Sequence, residues 1–146
     1  MPLPQLAESG DLPHGVHKAT LSEIVERFGQ ASDRRKVLAL RLERIHRIAA
    51  ATGHLVRFVV FGSFVTAKVR PNDVDVFIIM ADDFAIGNLV GESRLLFEHT
   101  AAQTHFGCSV FWVRRAAAMG GEEAAIQDWQ MKRDGNRRGV VDVIGE

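Results

Sequence analysis

Two short runs of β-branched and aromatic residues lie close together in the middle of the chain and limit the folds that are open to it. Residues 55–61 read LVRFVVF and residues 73–80 read DVDVFIIM. Such compositions are typical of β-strands. A Gly-Ser-led segment, residues 62–69, and a Pro71-Asn72 turn separate the two runs. The middle of the chain is therefore predicted to contribute two strands to a sheet.

Helical patterns flank these strands. Thr20, followed three residues later by Glu23, forms a capping-box pattern that predicts a short helix over residues 21–28. Ser32 is the predicted N-cap of a longer helix that extends to about Thr52. The alternation of types predicts an α+β fold, a small mixed β-sheet with helices packed on it. The remaining predicted elements are helices over 84–105 and 121–131, strands over 108–113 and 139–144, and a turn at Asp134-Gly135.

Length and composition are those of one globular domain. Of the 146 residues, 47% are hydrophobic and 25% are charged, which excludes disordered, collagen-like and disulfide-scaffold proteins. Residues 1–19 hold three of the four prolines, so they are predicted to form an extended lead-in. Residues 20–146 are predicted to form a single domain.

The expected compartment is the cytoplasm. Cys108 is the one cysteine, so no internal disulfide can form, which suits a reducing environment. The most apolar stretch, residues 55–65, contains Arg57 and is far shorter than a membrane span. The N-terminal segment lacks the apolar run of a signal peptide. We therefore expect a soluble protein that does not associate with membranes.

Residues 61–76 carry the side chains best suited to chemistry. They read Phe-Gly-Ser, nine further residues, then Asp-Val-Asp-Val. Because side chains alternate along a strand, Asp73 and Asp75 project from one face, and such carboxylates are the ligands that Mg²⁺ takes when it also binds substrate phosphates. Gly62 lets the backbone approach a phosphate closely, and Ser63 with the amides after it offers donors to an anion.

This arrangement resembles the signature of the nucleotidyltransferase superfamily, which has the polymerase-β-like fold. The resemblance implies a minimal nucleotidyltransferase that uses Mg²⁺ to transfer a nucleoside monophosphate from a nucleoside triphosphate (NTP) to a hydroxyl acceptor. It implies that Gly62 and Ser63 hold the phosphates, and that Asp73 and Asp75 are catalytic metal ligands. The opening LPHGVHKATLSEIVERFG and the close KRDGNRRGVVDVI are also similar to a bacterial family of small, functionally uncharacterised proteins with this core. The residues that match the superfamily signature are Phe61, Gly62, Ser63, Asp73, Val74, Asp75 and Val76.

The chain departs from that signature on the next predicted strand. The family pattern places a third carboxylate there, whereas residues 108–113 read CSVFWV, with Ser109 at the expected position. Serine is a poor metal ligand, so the departure argues against a second metal ion. Asp142, in the last predicted strand, is the alternative source of the missing charge. Its other interpretation, which we favour, is an outward-facing residue on an edge strand.

Basic residues offer further candidate anion sites, each with a structural alternative. Lys68 lies between Ser63 and the aspartates, where it either reaches a triphosphate or is a solvated loop residue. The helix over 32–53 carries six cations against two anions. That pattern serves either RNA binding or, as we favour, the water-facing side of an amphipathic helix. The cations are Arg34, Arg35, Lys36, Arg41, Arg44 and Arg47 in the helix, and Arg133, Arg137 and Arg138 in the basic turn after residue 132.

Several other reactive side chains are predicted to be structural. Cys108 lies near His105, but no third residue is identifiable that would orient a thiol nucleophile. His14 and His17 lack further ligands at zinc spacing. Trp112 and Trp129 are expected in the core.

The sequence supports hypotheses from different functional classes. The first is the nucleotidyltransferase, whose acceptor is left open among RNA, protein and small molecules. The second is a catalytically weakened binding or regulatory module of the same fold, by family analogy a partner in a bacterial toxin–antitoxin pair. The lost third carboxylate motivates it. A nucleic-acid-binding module rests on the basic helix alone. A domain of this size is also consistent with a protein partner or a homo-oligomer.

Overall fold

A computed structural model describes residues 3–145 of the chain. It contains a mixed sheet flanked by helices on both faces. The strands are β1 (Val16–Thr20), β2 (Leu55–Phe61), β3 (Val74–Met80), β4 (Cys108–Arg114) and β5 (Val140–Ile144). The helices are α1 (Leu21–Phe28), α2 (Asp33–Ala51), α3 (Glu92–Leu96), α4 (His99–Phe106) and α5 (Glu122–Asp128), with short 3₁₀ turns at Ser63–Val65, Ile86–Asn88 and Arg115–Ala117.

The strand order across the sheet is β1-β5-β2-β3-β4. The central strand β2 pairs antiparallel with both β3 and β5, whereas β4 runs parallel to β3 and β1 runs parallel to β5. The predicted α+β class with a small mixed sheet is therefore confirmed. The edges are β1 and β4, and the strands from the middle of the sequence lie inside the sheet.

The two faces of the sheet carry different cores. Helices α1 and α2 pack with the larger core, which includes Val60, Val76 and Ile78. Helix α5 covers the smaller core, which includes Phe77 and Ile79. Because side chains alternate along β3, the carboxylate of Asp75 is on the face of Phe77, at the end of the smaller core. The Asp75 carboxylate therefore lies on the face of the sheet that carries the smaller core.

Local capping signals correctly predicted the first two helices. Thr20 and Glu23 form the reciprocal capping box of α1, and the Ser32 side chain accepts a hydrogen bond from the amide of Arg35 at the start of α2. Both motifs satisfy amides that a helix leaves without intrahelical partners. These helices therefore begin where the sequence places them.

Two of the predicted secondary-structure elements differ from those in the structure. The single helix predicted over 84–105 is wrong, because the segment is divided into a 3₁₀ turn, α3 and α4. Gly91 adopts a φ of +62°, which is incompatible with a continuous right-handed helix. The extended lead-in predicted over residues 1–19 is interrupted by a turn at residues 7–10, and residues 16–19 belong to strand β1, which pairs with β5. Its partner is at the opposite end of the chain, so no local pattern indicates the pairing.

None of the helices within residues 3–145 combines the length and the apolar character needed to cross a lipid bilayer.

Candidate functional site

The register of three neighbouring strands brings the predicted site residues together. Phe61, the last residue of β2, lies opposite Asp75 on β3, and Asp75 lies opposite Ser109 on β4. Gly62 follows directly after Phe61, and Asp73 directly precedes β3. The Gly-Ser segment, the two aspartates and Ser109 therefore meet at one end of the sheet.

Gly62 is required by the position of the Asp75 side chain. Its backbone has φ +81° and ψ −168°, a region that is essentially restricted to glycine. A Cβ at residue 62 would overlap the Asp75 Oδ2 atom and lie only 3.0 Å from its Cγ. The chain can therefore place this carboxylate against the backbone only because residue 62 has no side chain.

Ser109 interacts directly with the carboxylate pair. Its Oγ atom donates a hydrogen bond of 2.7 Å to Asp73 Oδ2 and accepts one of 3.2 Å from the Gln103 side-chain amide. Ser109 thus lies on β4 where the resemblance to the nucleotidyltransferase signature leads us to expect a third carboxylate. There it supplies a hydrogen-bond donor instead of a negative charge.

The two aspartates cannot both carry full charge at low energetic cost. The pKa of Asp75 is raised to about 7, mainly by burial and in addition by the neighbouring charge of Asp73 and a hydrogen bond with it. Ser109 and Arg138 act in the opposite direction. A cation placed between the carboxylates would relieve their repulsion. This pair therefore has the chemistry of a cation site.

The donor set fits one hard divalent ion better than two. Both aspartates offer oxygen ligands, which Mg²⁺ prefers, and Mg²⁺ typically binds one or two carboxylates plus water and substrate phosphates. Among residues 3–145, no group of three or more His, Cys, Asp or Glu side chains is placed to hold a metal. A second ion would therefore have to share the carboxylates of Asp73 and Asp75 with the first.

A cleft of about 930 Å³ opens over the aspartates. Ser63 and the exposed Lys68 lie on its wall. The segment between α5 and β5, residues 129–139, contributes further positive charge. Three cations on the cleft come from it, namely Lys132, Arg133 and Arg138. The cleft thus combines a carboxylate floor with cationic walls.

Asp11 positions two of those cations and was missed by sequence reasoning. Its carboxylate lies 2.9 Å from Lys132 Nζ and 3.7 Å from Arg138 Nη1. Asp11 itself lines the cleft. Its partners are at the other end of the sequence and β1 and β5 bring the two segments together, so no local signal could have identified it.

Arg35 holds the Gly-Ser segment in place through hydrogen bonds to its backbone. Its guanidinium donates hydrogen bonds to the carbonyl oxygens of Phe28, Phe64, Thr66 and Lys68, at 2.7 to 3.0 Å. The residue is buried, and burial lowers its pKa. The sequence prediction of a water-facing Arg35 is therefore wrong, because four carbonyls of neighbouring loops compensate its burial.

Other cations of α2 also have protein partners. The Arg34 Nε atom donates a 2.6 Å hydrogen bond to the carbonyl of Pro71, in the turn that leads to the aspartates. Arg44 forms an ion pair with Glu92 and lies over the Phe106 ring, 5.0 Å from its centre. The helix therefore does not present six free cations to a polyanion.

Asp142 does not replace the missing carboxylate, and the interpretation as an outward-facing edge residue is wrong. Strand β5 lies inside the sheet, and Asp142 is 2% exposed. Arg57 donates to it from Nε and Nη2, at 3.4 and 2.5 Å, and Lys18 lies 3.5 Å away. Burial by itself would lower the pKa of Arg57. Hydrogen bonds to Asp142 and Glu123 outweigh this effect, so the pKa of Arg57 is raised. Asp142 is thus neutralised within a buried ion-pair network.

The remaining candidates behave as expected for structural residues. Cys108 is buried, and burial raises the pKa of its thiol to about 12, so little of the reactive thiolate forms at neutral pH. His17 contacts the carbonyl of Pro13 at 2.7 Å. Trp112 donates a 2.8 Å hydrogen bond to the carbonyl of Phe97. Trp129 is partly buried, as Trp112 is, and it packs against the smaller core and also lines a cavity beside the cleft.

Comparison with known proteins identifies a family but no characterised relative. No curated protein and no solved structure matches the chain. A family model matches residues 4–144, which is nearly the whole chain. The chain therefore belongs to the family described as "Family of unknown function (DUF6932)".

Proposed function

We propose that this protein is a minimal Mg²⁺-dependent nucleotidyltransferase that transfers a nucleoside monophosphate from an NTP to a hydroxyl acceptor. The observation that carries the proposal is the arrangement of Asp73 and Asp75 against Gly62, at the floor of a cleft with cationic walls. An NTP is highly anionic and is usually bound with a divalent ion. The cleft provides groups for both parts of that ligand.

The phosphates would lie along the Gly-Ser segment. Ser63 and Lys68 line the cleft together with Arg133 and Arg138. Arginine is well suited to this role because its planar fork matches phosphate oxygens. The anchoring of the segment by Arg35 keeps this wall in place before the ligand arrives, which reduces the entropic cost of binding.

Asp73 and Asp75 would hold Mg²⁺, which neutralises charge on the phosphates and favours attack at the α-phosphorus. Ser109 would orient Asp73 through its 2.7 Å hydrogen bond. In the reaction, the acceptor oxygen forms a bond to the α-phosphorus, and the bond from that phosphorus to the bridging oxygen breaks. Pyrophosphate leaves with the electron pair, and the hydroxyl proton passes to water. The chain contributes mainly by positioning and by fixed charge.

Calorimetry with Mg²⁺ and each of the four NTPs tests the proposal. The wild-type protein should bind at least one NTP in a metal-dependent manner, and the Asp73→Asn, Asp75→Asn double variant should lose that binding. Asp128→Asn, on the exposed end of α5, is the matched control and should bind like the wild type. Metal-dependent transfer retained by the double variant, or no binding of any NTP by the wild type, would overturn the proposal.

A binding or regulatory module of the same fold is the second candidate. The observation that favours it is Ser109, which stands opposite Asp75 where a third carboxylate would complete a two-ion site. In that case the protein should co-purify with a stoichiometric protein partner, with no dependence on nucleotide. A monomer that turns over an NTP would eliminate this candidate.

A further inference from the structure

A second cavity, of about 390 Å³, adjoins the cleft on the same face of the sheet. The two cavities share six lining residues, namely Asp75, Ser109, Gln103, Lys132, Arg133 and Arg138. Ser63 and Lys68 line the first cavity and not the second. The volume of the second cavity is within the range of small-molecule sites. It therefore forms a compartment next to the cleft that reaches Asp75.

Aromatic rings form the floor of this compartment. Trp129 lies 4.7 Å from Phe61 and 4.9 Å from Phe111, measured between ring centres. Phe111 is 36% exposed although it is a large apolar side chain. Rings with an accessible face bind planar groups by stacking. The compartment is thus shaped for a flat ring.

His99 closes the wall of the compartment beside Phe111. Its ring is 4.8 Å from the Phe111 ring, and its Nδ1 atom lies 3.1 Å from the carbonyl oxygen of Val110. Because a carbonyl only accepts hydrogen bonds, Nδ1 is the donor in this contact, and in the neutral tautomer that fits it Nε2 keeps a lone pair. His99 thus adds a hydrogen-bond acceptor to an otherwise aromatic wall.

The rim of the compartment is cationic. Lys132, Arg133 and Arg138 line it as well as the first cleft. Lys132 and Arg138 are paired with Asp11, whereas no ion pair of Arg133 occurs within the described part of the chain. A flat ring that carries a neighbouring phosphate matches this combination better than an uncharged ring does.

The geometry of phosphoryl transfer assigns a role to the compartment. The attacking and leaving oxygens lie roughly in line across the phosphorus. If the leaving pyrophosphate lies along Ser63 and Lys68, the acceptor must approach from the other side of the carboxylates. The aromatic compartment is lined by Asp75 and Ser109 but not by Ser63 or Lys68, so it offers the acceptor such an approach.

We propose that the aromatic compartment binds the base of a nucleoside or nucleotide acceptor and directs its hydroxyl group toward Asp75. The inference rests on the proposed function, because it presumes that the NTP phosphates occupy the first cleft. It adds the chemical class of the acceptor. It also identifies Trp129, Phe111 and Phe61 as the residues that select it.

Fluorescence of Trp129 tests the inference in the full-length chain. The sequence has two tryptophans, so the Trp112→Phe variant leaves Trp129 as the one reporter. Adenosine and uridine, which carry no phosphate, should quench its emission saturably. Quenching should persist when Mg²⁺ and a non-hydrolysable NTP analogue are bound. Equilibrium dialysis of adenosine and uridine against the wild-type protein provides the same information if the reporter variant does not fold.

Two further variants separate the compartments. Phe111→Leu keeps an apolar side chain but removes the ring, and it should weaken nucleoside binding about tenfold. Lys68→Ala, the matched control on the first cleft, should leave nucleoside binding unchanged. Calorimetry with the NTP tests the first cleft independently, so a failure of the proposed function is distinguishable from a failure of this inference.

The alternative outcomes each contradict the inference. If the NTP analogue displaces the nucleosides, the compartment holds the base of the donor and not of the acceptor. If p-cresol quenches Trp129 and nucleosides do not, the compartment selects a phenolic acceptor. If neither probe binds, in fluorescence or in dialysis, the rings serve only the core.

Discussion

The Asp75 carboxylate occupies the space into which a side chain on residue 62 would project. With φ at +81°, the backbone of residue 62 would be strained if any residue other than glycine stood there. A Cβ added at this position would lie 3.0 Å from the Asp75 Cγ atom. The pair couples the Gly-Ser segment to the aspartates across two strands. A change at Gly62 should therefore affect the carboxylate site as well as the turn.

Gly62→Ala should destabilise the protein and impair the cation site together. The backbone strain costs about 1–3 kcal/mol, and the new methyl group must displace the Asp75 side chain. Urea unfolding and Mg²⁺-NTP calorimetry measure the two effects. Gly53→Ala is a matched control, since Gly53 has φ +77° with no atom within 4 Å of the added Cβ. The two effects are uncoupled if Gly62→Ala binds Mg²⁺-NTP as the wild type does.

Ser109→Asp should make the stability of the protein depend more strongly on divalent metal ions. The substitution removes the donor to Asp73 Oδ2 and adds a third negative charge beside a pair that already repels itself. Without divalent ions the melting temperature should fall, and millimolar Mg²⁺ should restore it more than in the wild type. Ser109→Ala, which removes the donor without adding charge, should show no such rescue. A thermal shift that is independent of Mg²⁺ in Ser109→Asp would contradict the placement of the ion.

The stability of the protein should depend on the protonation of Asp75. Because the pKa is raised from 3.8 to about 7, the folded state binds this proton more tightly than the unfolded state does. Stability should therefore fall as the pH rises from about 4 to about 7. Asp75→Asn removes this loss, so the variant should gain stability over the wild type at pH 7–8 and little at pH 4.

Urea unfolding of both proteins across that pH range measures the difference. Asp128→Asn, at an exposed position on α5, should show no comparable gain. An Asp75→Asn gain that is the same at all pH values would arise from packing and not from the raised pKa.

Arg35 should be essential to the Gly-Ser wall of the cleft. Its removal leaves the carbonyls of Phe28, Phe64, Thr66 and Lys68 without this donor. Arg35→Met should cost roughly 3 kcal/mol or more of the free energy of unfolding. Arg35→Lys should recover only part of it, because an ammonium cannot reproduce the planar fork. Lys36→Met on the exposed side of α2 is the control and should change stability by less than about 0.5 kcal/mol.

Part of this structure is visible in local patterns. The caps at Thr20 and Ser32 predicted where α1 and α2 begin, because capping involves residues within one turn of each other. The two runs around Gly62 predicted β2 and β3. Strand alternation placed Asp73 and Asp75 on one face, and the structure brings both to the cleft.

Errors arose where the partners are distant in sequence. In the sequence, Arg35 resembles the surface cations of α2. In the structure, residues from two other segments bury it. The sequence predicts Asp142 on an edge strand. In the structure β1 pairs with β5, so β1 is the edge strand and Asp142 lies inside the sheet. In both cases burial depends on which element packs alongside, which composition does not encode.

The sequence by itself determined the α+β class, the strands that carry the site, and the pairing of two carboxylates with a Gly-Ser turn. These features depend on side-chain periodicity and on short-range hydrogen bonds. Only the tertiary structure decided the strand order, the contact between Asp75 and Gly62, and the cationic wall held by Asp11. It also decided which aromatic rings open beside the carboxylates. Each of these depends on the register between strands and on contacts between segments far apart in the chain, which no local pattern contains.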